Sequence, residues 1–228
     1  MYSSFVKWAN ANWFRKVSFG IFTLLVVALV VVADQDRKMP DVVSLRAAIV
    51  PDRVVMLGDS ITARGNWGVL LPEVRPYNYG IGSNYTDSVL ERLDTVIEAK
   101  PQKVFLMIGI NDVYREDDPL EIYDRYRQIV DRLLPHSEVV LQSTLFPGKE
   151  EDVDQRQVVA VLNELLKEFA QKRGLDFIDL NREMNHNQLL AGHLTDDGIH
   201  LSSEGYAAWT KVLREYLQAS EHIVASTN

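Results

Sequence analysis

Apolar residues in this chain fall into short unbroken runs that alternate with stretches of three-or-four spacing. The runs are Val54 to Leu57, Val74 to Tyr79 between Pro72 and Gly80, "KVFLMIG" at 103–109, "EVVLQS" at 138–143 and "LDFIDL" at 175–180. Runs of this length, bounded by turn formers, predict strands. Between them the spacing turns helical. Residues 85–99 place Val89, Leu90, Leu93, Val96 and Ile97 on one face, and Pro119 opens a helix striped by Ile122, Tyr126, Ile129, Val130 and Leu133. Val158, Leu162, Leu165, Leu166 and Phe169 mark a longer helix that Gly174 stops, and residues 203–217 form the last. Strands apolar on both faces, separated by amphipathic helices, predict an α/β fold: a three-layer α/β/α sandwich around a five-stranded parallel sheet, over residues 53–228. Ligand-binding groups in such a sheet belong at the C-terminal strand ends.

The first 52 residues follow a different pattern. No charge interrupts residues 17–33, "VSFGIFTLLVVALVVVA", and as a helix this segment is about 25 Å long, enough for a thin bilayer core. Arg15 and Lys16 precede it, and Asp34 and Asp36 follow. The charge bias predicts a transmembrane helix with residues 1–16 in the cytoplasm, residues 34–52 as a linker and the domain exported. Val31-Val32-Ala33 also suits cleavage as a signal peptide, which would release the domain.

The net charge is −8, and because residues 1–33 hold Lys7, Arg15 and Lys16 with no acid, the rest carries −11. An acidic soluble portion argues against nucleic acid as a partner. Cysteine is absent, which excludes disulfides and thiolate metal sites, and no His-x-x-x-His spacing suggests another metal. No cofactor is expected, and nothing fixes the oligomeric state.

Four loops that follow predicted strands hold groups suited to chemistry. "GDS" at 58–60 puts Ser60 at a strand tip. "NYGIGSNYT" at 78–86 offers backbone amides before a helix. Its Gly80-x-Gly82 lacks the third glycine of a dinucleotide fingerprint and follows the second strand, not the first. "GIND" at 109–112 carries Asn111, whose side chain can donate to an anion. "TDDGIH" at 195–200 places Asp197 three residues before His200, and a serine needs just such a base held by a third group. Turns built from Gly, Asn, Asp and Ser would account for each loop taken alone.

Together and in this order, the four blocks resemble the SGNH (GDSL) hydrolase superfamily, over about residues 53–217. The wording of "GDSIT" and "MIGIND" is most similar to its platelet-activating-factor acetylhydrolase-like and sialate O-acetylesterase-like branch. The resemblance implies a flavodoxin-like hydrolase fold and a serine esterase acting on short acyl groups, often acetyl on a sugar. It implies Ser60 as nucleophile, His200 as base, Asp197 as orienter, and oxyanion donors at Ser60, Ser83 and Asn111. The family's usual oxyanion glycine falls on Ser83 and the following aspartate on Asn84, so Gly82 stays open as the alternative donor. Arg64 and Trp67 either line the substrate pocket or pack the first helix. A lysophospholipase or thioesterase, for which a membrane anchor is convenient, is the rival enzyme. A silent glycan-binding surface protein is the rival outside catalysis. Only residues 144–154 are long enough to form a lid, and their charges suit water better than lipid.

Overall fold

The computed structural model describes residues 53–226, with side chains through residue 220. Strand β1 (Val54–Gly58) is buried at every position, as an apolar run with a neighbour on each side must be. The chain continues through α1 (Ser60–Ala63), α2 (Trp67–Leu70), β2 (Tyr77–Gly80), α3 (Thr86–Glu91) and α4 (Leu93–Glu98). Next come β3 (Lys103–Met107), α5 (Ile110–Tyr114), α6 (Pro119–Leu133), β4 (Glu138–Gln142), α7 (Val153–Arg173) and β5 (Asp176–Ile178). The last elements are α8 (Asn181–Met184), a short antiparallel pair β6 (Asn185–His186) and β7 (Leu189–Leu190), a 3-10 turn at Gly192–Leu194, and α9 (Ser203–Ser226).

The five main strands are all parallel and pair in the order β2-β1-β3-β4-β5. This is the five-stranded parallel sheet expected from the sequence. Strand order reverses at β1, whose neighbours are β2 and β3, and such a reversal opens a crevice beyond the carboxyl ends of the strands. Helices α3, α4, α6 and α7 pack in one set, while α9 packs on α2, α8 and β5.

Local chemistry sets the element ends. The Asp118 carboxylate caps α6 by accepting from Leu120 N at 2.8 Å, with Pro119 in the first turn. Gly174 ends α7 at φ 65°, a left-handed turn that glycine adopts without a Cβ clash. Gly109 does the same after β3 at φ 116°, so the strand stops at Met107 rather than at 109. The second strand starts at Tyr77 rather than Val74, because Val74 N and Arg75 N both turn back to Leu71 O. The helix expected over 85–99 is broken at Arg92 (φ −101°, ψ 8°) into α3 and α4.

Trp67 corrects an expectation. It packs in the core: it is 2% exposed, lies edge-on to Trp209 at 4.8 Å and Tyr206 at 6.2 Å, and donates its indole N–H to Thr62 O at 2.9 Å. A tryptophan buried with its one donor satisfied is a packing residue, and this one fastens α1 and α2 to α9. The stretch from 144 to 154 is not a free lid either. Thr144, Leu145 and Phe146 are buried, and Val153 already begins α7.

The predicted transmembrane segment at 17–33, its flank at 1–16 and the linker at 34–52 lie outside the described residues. Among the described residues no helix is long and apolar enough to cross a membrane.

Candidate active site

Ser60 is the first residue of α1, directly after β1, and the Asp59 carboxylate caps that helix by accepting from Ile61 N at 2.9 Å. The turn from strand to helix is tight. A Cβ on Gly58 would come within 2.2 Å of Met107 O and 2.3 Å of Thr62 Oγ1, so only glycine lets β1, β3 and α1 meet there. Tyr206 of α9 donates its hydroxyl to Ile61 O at 2.6 Å and pins the first turn from the other side.

Ser60 Oγ lies 2.9 Å from His200 Nε2, across 140 residues of sequence. His200 Nδ1 lies 2.7 Å from Asp197 Oδ2. A carboxylate only accepts, so Nδ1 carries the proton and Nε2 presents its lone pair to the serine hydroxyl. The two oxygens of Asp197 divide their work: Oδ1 accepts from Ile199 N at 2.9 Å and His200 N at 2.7 Å, while Oδ2 holds the ring. Desolvation pushes the Asp197 carboxyl up, but the imidazole and the two amides outweigh it and hold it well below the usual carboxylate range. Thr195 steadies this loop by donating its hydroxyl to His200 O at 2.8 Å and accepting from Gly198 N at 2.9 Å. Gly148 N donates to Gly198 O at 2.7 Å, so the expected lid segment instead braces the histidine loop.

The second and third blocks meet one another. Asn111, on α5, donates Nδ2 to Asn84 O at 2.8 Å, which leaves its second N–H available. The amides of Ser60, Gly82 and Ser83 have no acceptor among the described residues. Ser83 takes φ 59°, where a side chain costs about 1 kcal/mol and glycine costs little. Arg64, a turn after Ser60, is exposed and makes no hydrogen bond or ion pair to Ser60, His200 or Asp197.

Sequence reasoning missed the buried acids behind these loops. Asp112 looks like a turn former in the sequence. It is fully buried and accepts from Thr86 N at 3.0 Å and from the Thr86 hydroxyl. Arg125 lies 3.5 Å and Arg115 3.6 Å from its Oδ1. Burial pushes its carboxyl up against the pull of these partners. Asp59 is buried too, and burial, opposed by the Ile61 amide, pushes its carboxyl up to about 7.

The match to the GDSL-like lipase/acylhydrolase family covers residues 56–208, which span all four blocks. Among solved structures, a Streptococcus pneumoniae protein named for platelet activating factor is 27% identical. It covers 75% of this chain and 86% of its own, at a TM-score of 0.63. A GDSL-like lipase from Bacteroides thetaiotaomicron (22% identity, 78% of this chain and 96% of that one, TM-score 0.66) shares the fold. So does an acetylxylan esterase from Geobacillus stearothermophilus (24% identity, 71% and 92%, TM-score 0.60). N-acylneuraminate cytidylyltransferases of Streptococcus agalactiae are 26% identical over 155 residues, 66% of this chain. The chain spans about a third of the length of these curated relatives, 35%. With a family match over most of its length, the chain belongs to the GDSL-like lipase/acylhydrolase family of the SGNH superfamily.

Proposed function

We propose that this protein is a serine esterase removing short acyl groups, acetyl foremost, from hydroxyls of a glycan or other small substrate. The observation that carries the reading is the unbroken chain Ser60 Oγ–His200 Nε2 (2.9 Å) and His200 Nδ1–Asp197 Oδ2 (2.7 Å). In this reading Nε2 takes the serine proton as Oγ attacks the ester carbonyl, and the ring, now charged, rests against Asp197. The oxyanion is received by Ser60 N–H, by the amide of Ser83 or Gly82, and by the free N–H of Asn111. His200 returns the proton to the leaving alcohol, and water repeats the sequence to release the acid.

What covers the site sets the acyl length. In the stretch expected to form a lid, Thr144, Leu145 and Phe146 are committed to the core and Gly148 to the histidine loop. Tyr114 of α5 is held by donating its hydroxyl to Asp152. A long chain left in water forfeits about 0.8 kcal/mol for each methylene not buried. Full-length protein assayed on p-nitrophenyl esters from acetyl to palmitoyl should therefore give its highest kcat/KM at acetyl or butyryl. A maximum at octanoyl or longer would replace this reading with the lysophospholipase or thioesterase one. A sugar as the alcohol is in keeping with relatives named for N-acylneuraminate and with an acetylxylan esterase of the same fold. Arg64, exposed beside the nucleophile's helix, is the contact proposed for an anionic group on that sugar. The charge-free segment at 17–33 supports export of the domain, held at the membrane or released by cleavage after Ala33.

Acid should switch the activity off, because a protonated imidazole accepts no proton from Ser60. Asp197 is not the group that titrates on that limb, since its carboxyl stays ionised well below the usual range. Asp197→Asn removes the anion that stabilises the charged ring, so the acid limb of kcat/KM should move to lower pH while the maximum falls. A limb that stays in place in this variant would separate Asp197 from the histidine.

A further inference from the structure

Arg92 stands where the amphipathic helix breaks between α3 and α4. Its guanidinium turns back toward the strand ends and meets three oxygens. Nε donates to Asn84 Oδ1 at 2.7 Å, and Nη2 donates to Tyr79 O at 2.8 Å and to Gly58 O at 3.1 Å. All three acceptors are neutral, and Arg92 forms no ion pair among the described residues. Burying half of a guanidinium without a carboxylate is costly, and burial lowers its pKa accordingly. Such a placement needs a return.

The acceptors themselves point to that return. Gly58 lies two residues before Ser60, at the end of the strand that delivers the nucleophile. Tyr79 lies in β2, one residue before the loop with the second-block amides. Asn84 is inside that loop, and its main-chain carbonyl accepts from Asn111 Nδ2 at 2.8 Å while its own N–H donates to Ile81 O at 3.2 Å. One rigid fork thus touches the nucleophile strand and the amide loop directly, and reaches the Asn111 side chain through Asn84. Arginine can do this where lysine cannot, because its donors are fixed in a plane. Ser83, held at φ 59° next to Asn84, gives the loop a reason to need such a hold, since nothing in a serine's own preference keeps it there.

We infer that Arg92 is a positioning residue of the oxyanion site, locking the 82–84 loop and Asn111 at a fixed distance from Ser60 through its bond to Asn84. The inference rests on the esterase reading above.

The test is kinetic, on full-length protein, with each rate divided by the number of Ser60 sites titrated by a fluorophosphonate probe. That division removes any misfolded fraction. Arg92→Met should lower kcat for p-nitrophenyl acetate about 10-fold or more with KM within about 3-fold, because a displaced oxyanion donor costs only the transition state. Asn84→Ala breaks the same link while sparing the contacts to Gly58 and Tyr79, and should lower kcat in the same way. The double variant should be no slower than Arg92→Met by more than about 2-fold, since both changes remove one connection. The inference is overturned if Arg92→Met keeps kcat per titrated site within about 3-fold of wild type, or if the two losses multiply in the double variant. Failure of the esterase reading looks different: wild type would then neither turn over ester nor label at Ser60.

Discussion

Replacing Ser60 by alanine is expected to lower kcat by about 10³-fold or more, the largest effect of any single change in this protein. In the proposed mechanism the Ser60 hydroxyl is the group that attacks the ester carbon. Among the described residues its side-chain partner is His200 Nε2 at 2.9 Å, the one contact that joins a hydroxyl to the base, and the chain has no cysteine to offer a thiol instead. The fold should not suffer. Ser60 is half-buried, the helix cap comes from Asp59 rather than from Ser60, and its hydroxyl bonds to His200 rather than to the backbone of β1 or α1. A thermal midpoint within a few degrees of wild type should accompany the lost activity, together with lost labelling by a fluorophosphonate. Turnover by Ser60→Ala within about 10-fold of wild type would require another nucleophile and would end the proposed mechanism. Wild type that neither turns over nor labels would instead favour the glycan-binding reading.

How far the site is legible in the sequence depends on how local each feature is. The central strands β1, β3 and β4 are legible because a buried strand writes itself as an unbroken apolar run, as Val54 to Gly58 does. The Asp197–His200 pair is legible because three residues of spacing lie within one loop. Ser60 joins that pair only through the fold, 140 residues away, and the order of four short blocks is what links them in the sequence. Trp67 is the opposite case. Its partners, Tyr206 and Trp209, lie far along the chain, so a tryptophan near a nucleophile reads equally as pocket or core until they are placed. The break at Arg92 is hidden for a similar reason. Helical periodicity runs straight through residues 85–99, and the bonds to Gly58, Tyr79 and Asn84 that accompany the break are tertiary. Asp112 looks like half of an Asn-Asp turn because the sequence does not show that Thr86 and two arginines surround it.

Asn111 carries the second large expected effect. Asn111→Ala should reduce kcat by about 10²- to 10³-fold with little change in KM, the cost of losing one oxyanion donor whose bond strengthens as charge develops. In the structure one N–H of Nδ2 is spent on Asn84 O at 2.8 Å, which fixes the amide plane. Alanine therefore removes a donor and also frees the Asn84 carbonyl, two losses that fall on the same step. They can be separated by comparison with Arg92→Met, which disturbs the aim of Asn111 but leaves its donor in place. Arg92→Met should cost less than Asn111→Ala, and adding it to Asn111→Ala should cost less than it does in the wild type, because the donor it positions is already gone. Full additivity would mean that the arginine serves the amide of residue 82 or 83 rather than Asn111. A kcat for Asn111→Ala within about 3-fold of wild type would remove this side chain from the oxyanion site altogether and leave that work to backbone amides.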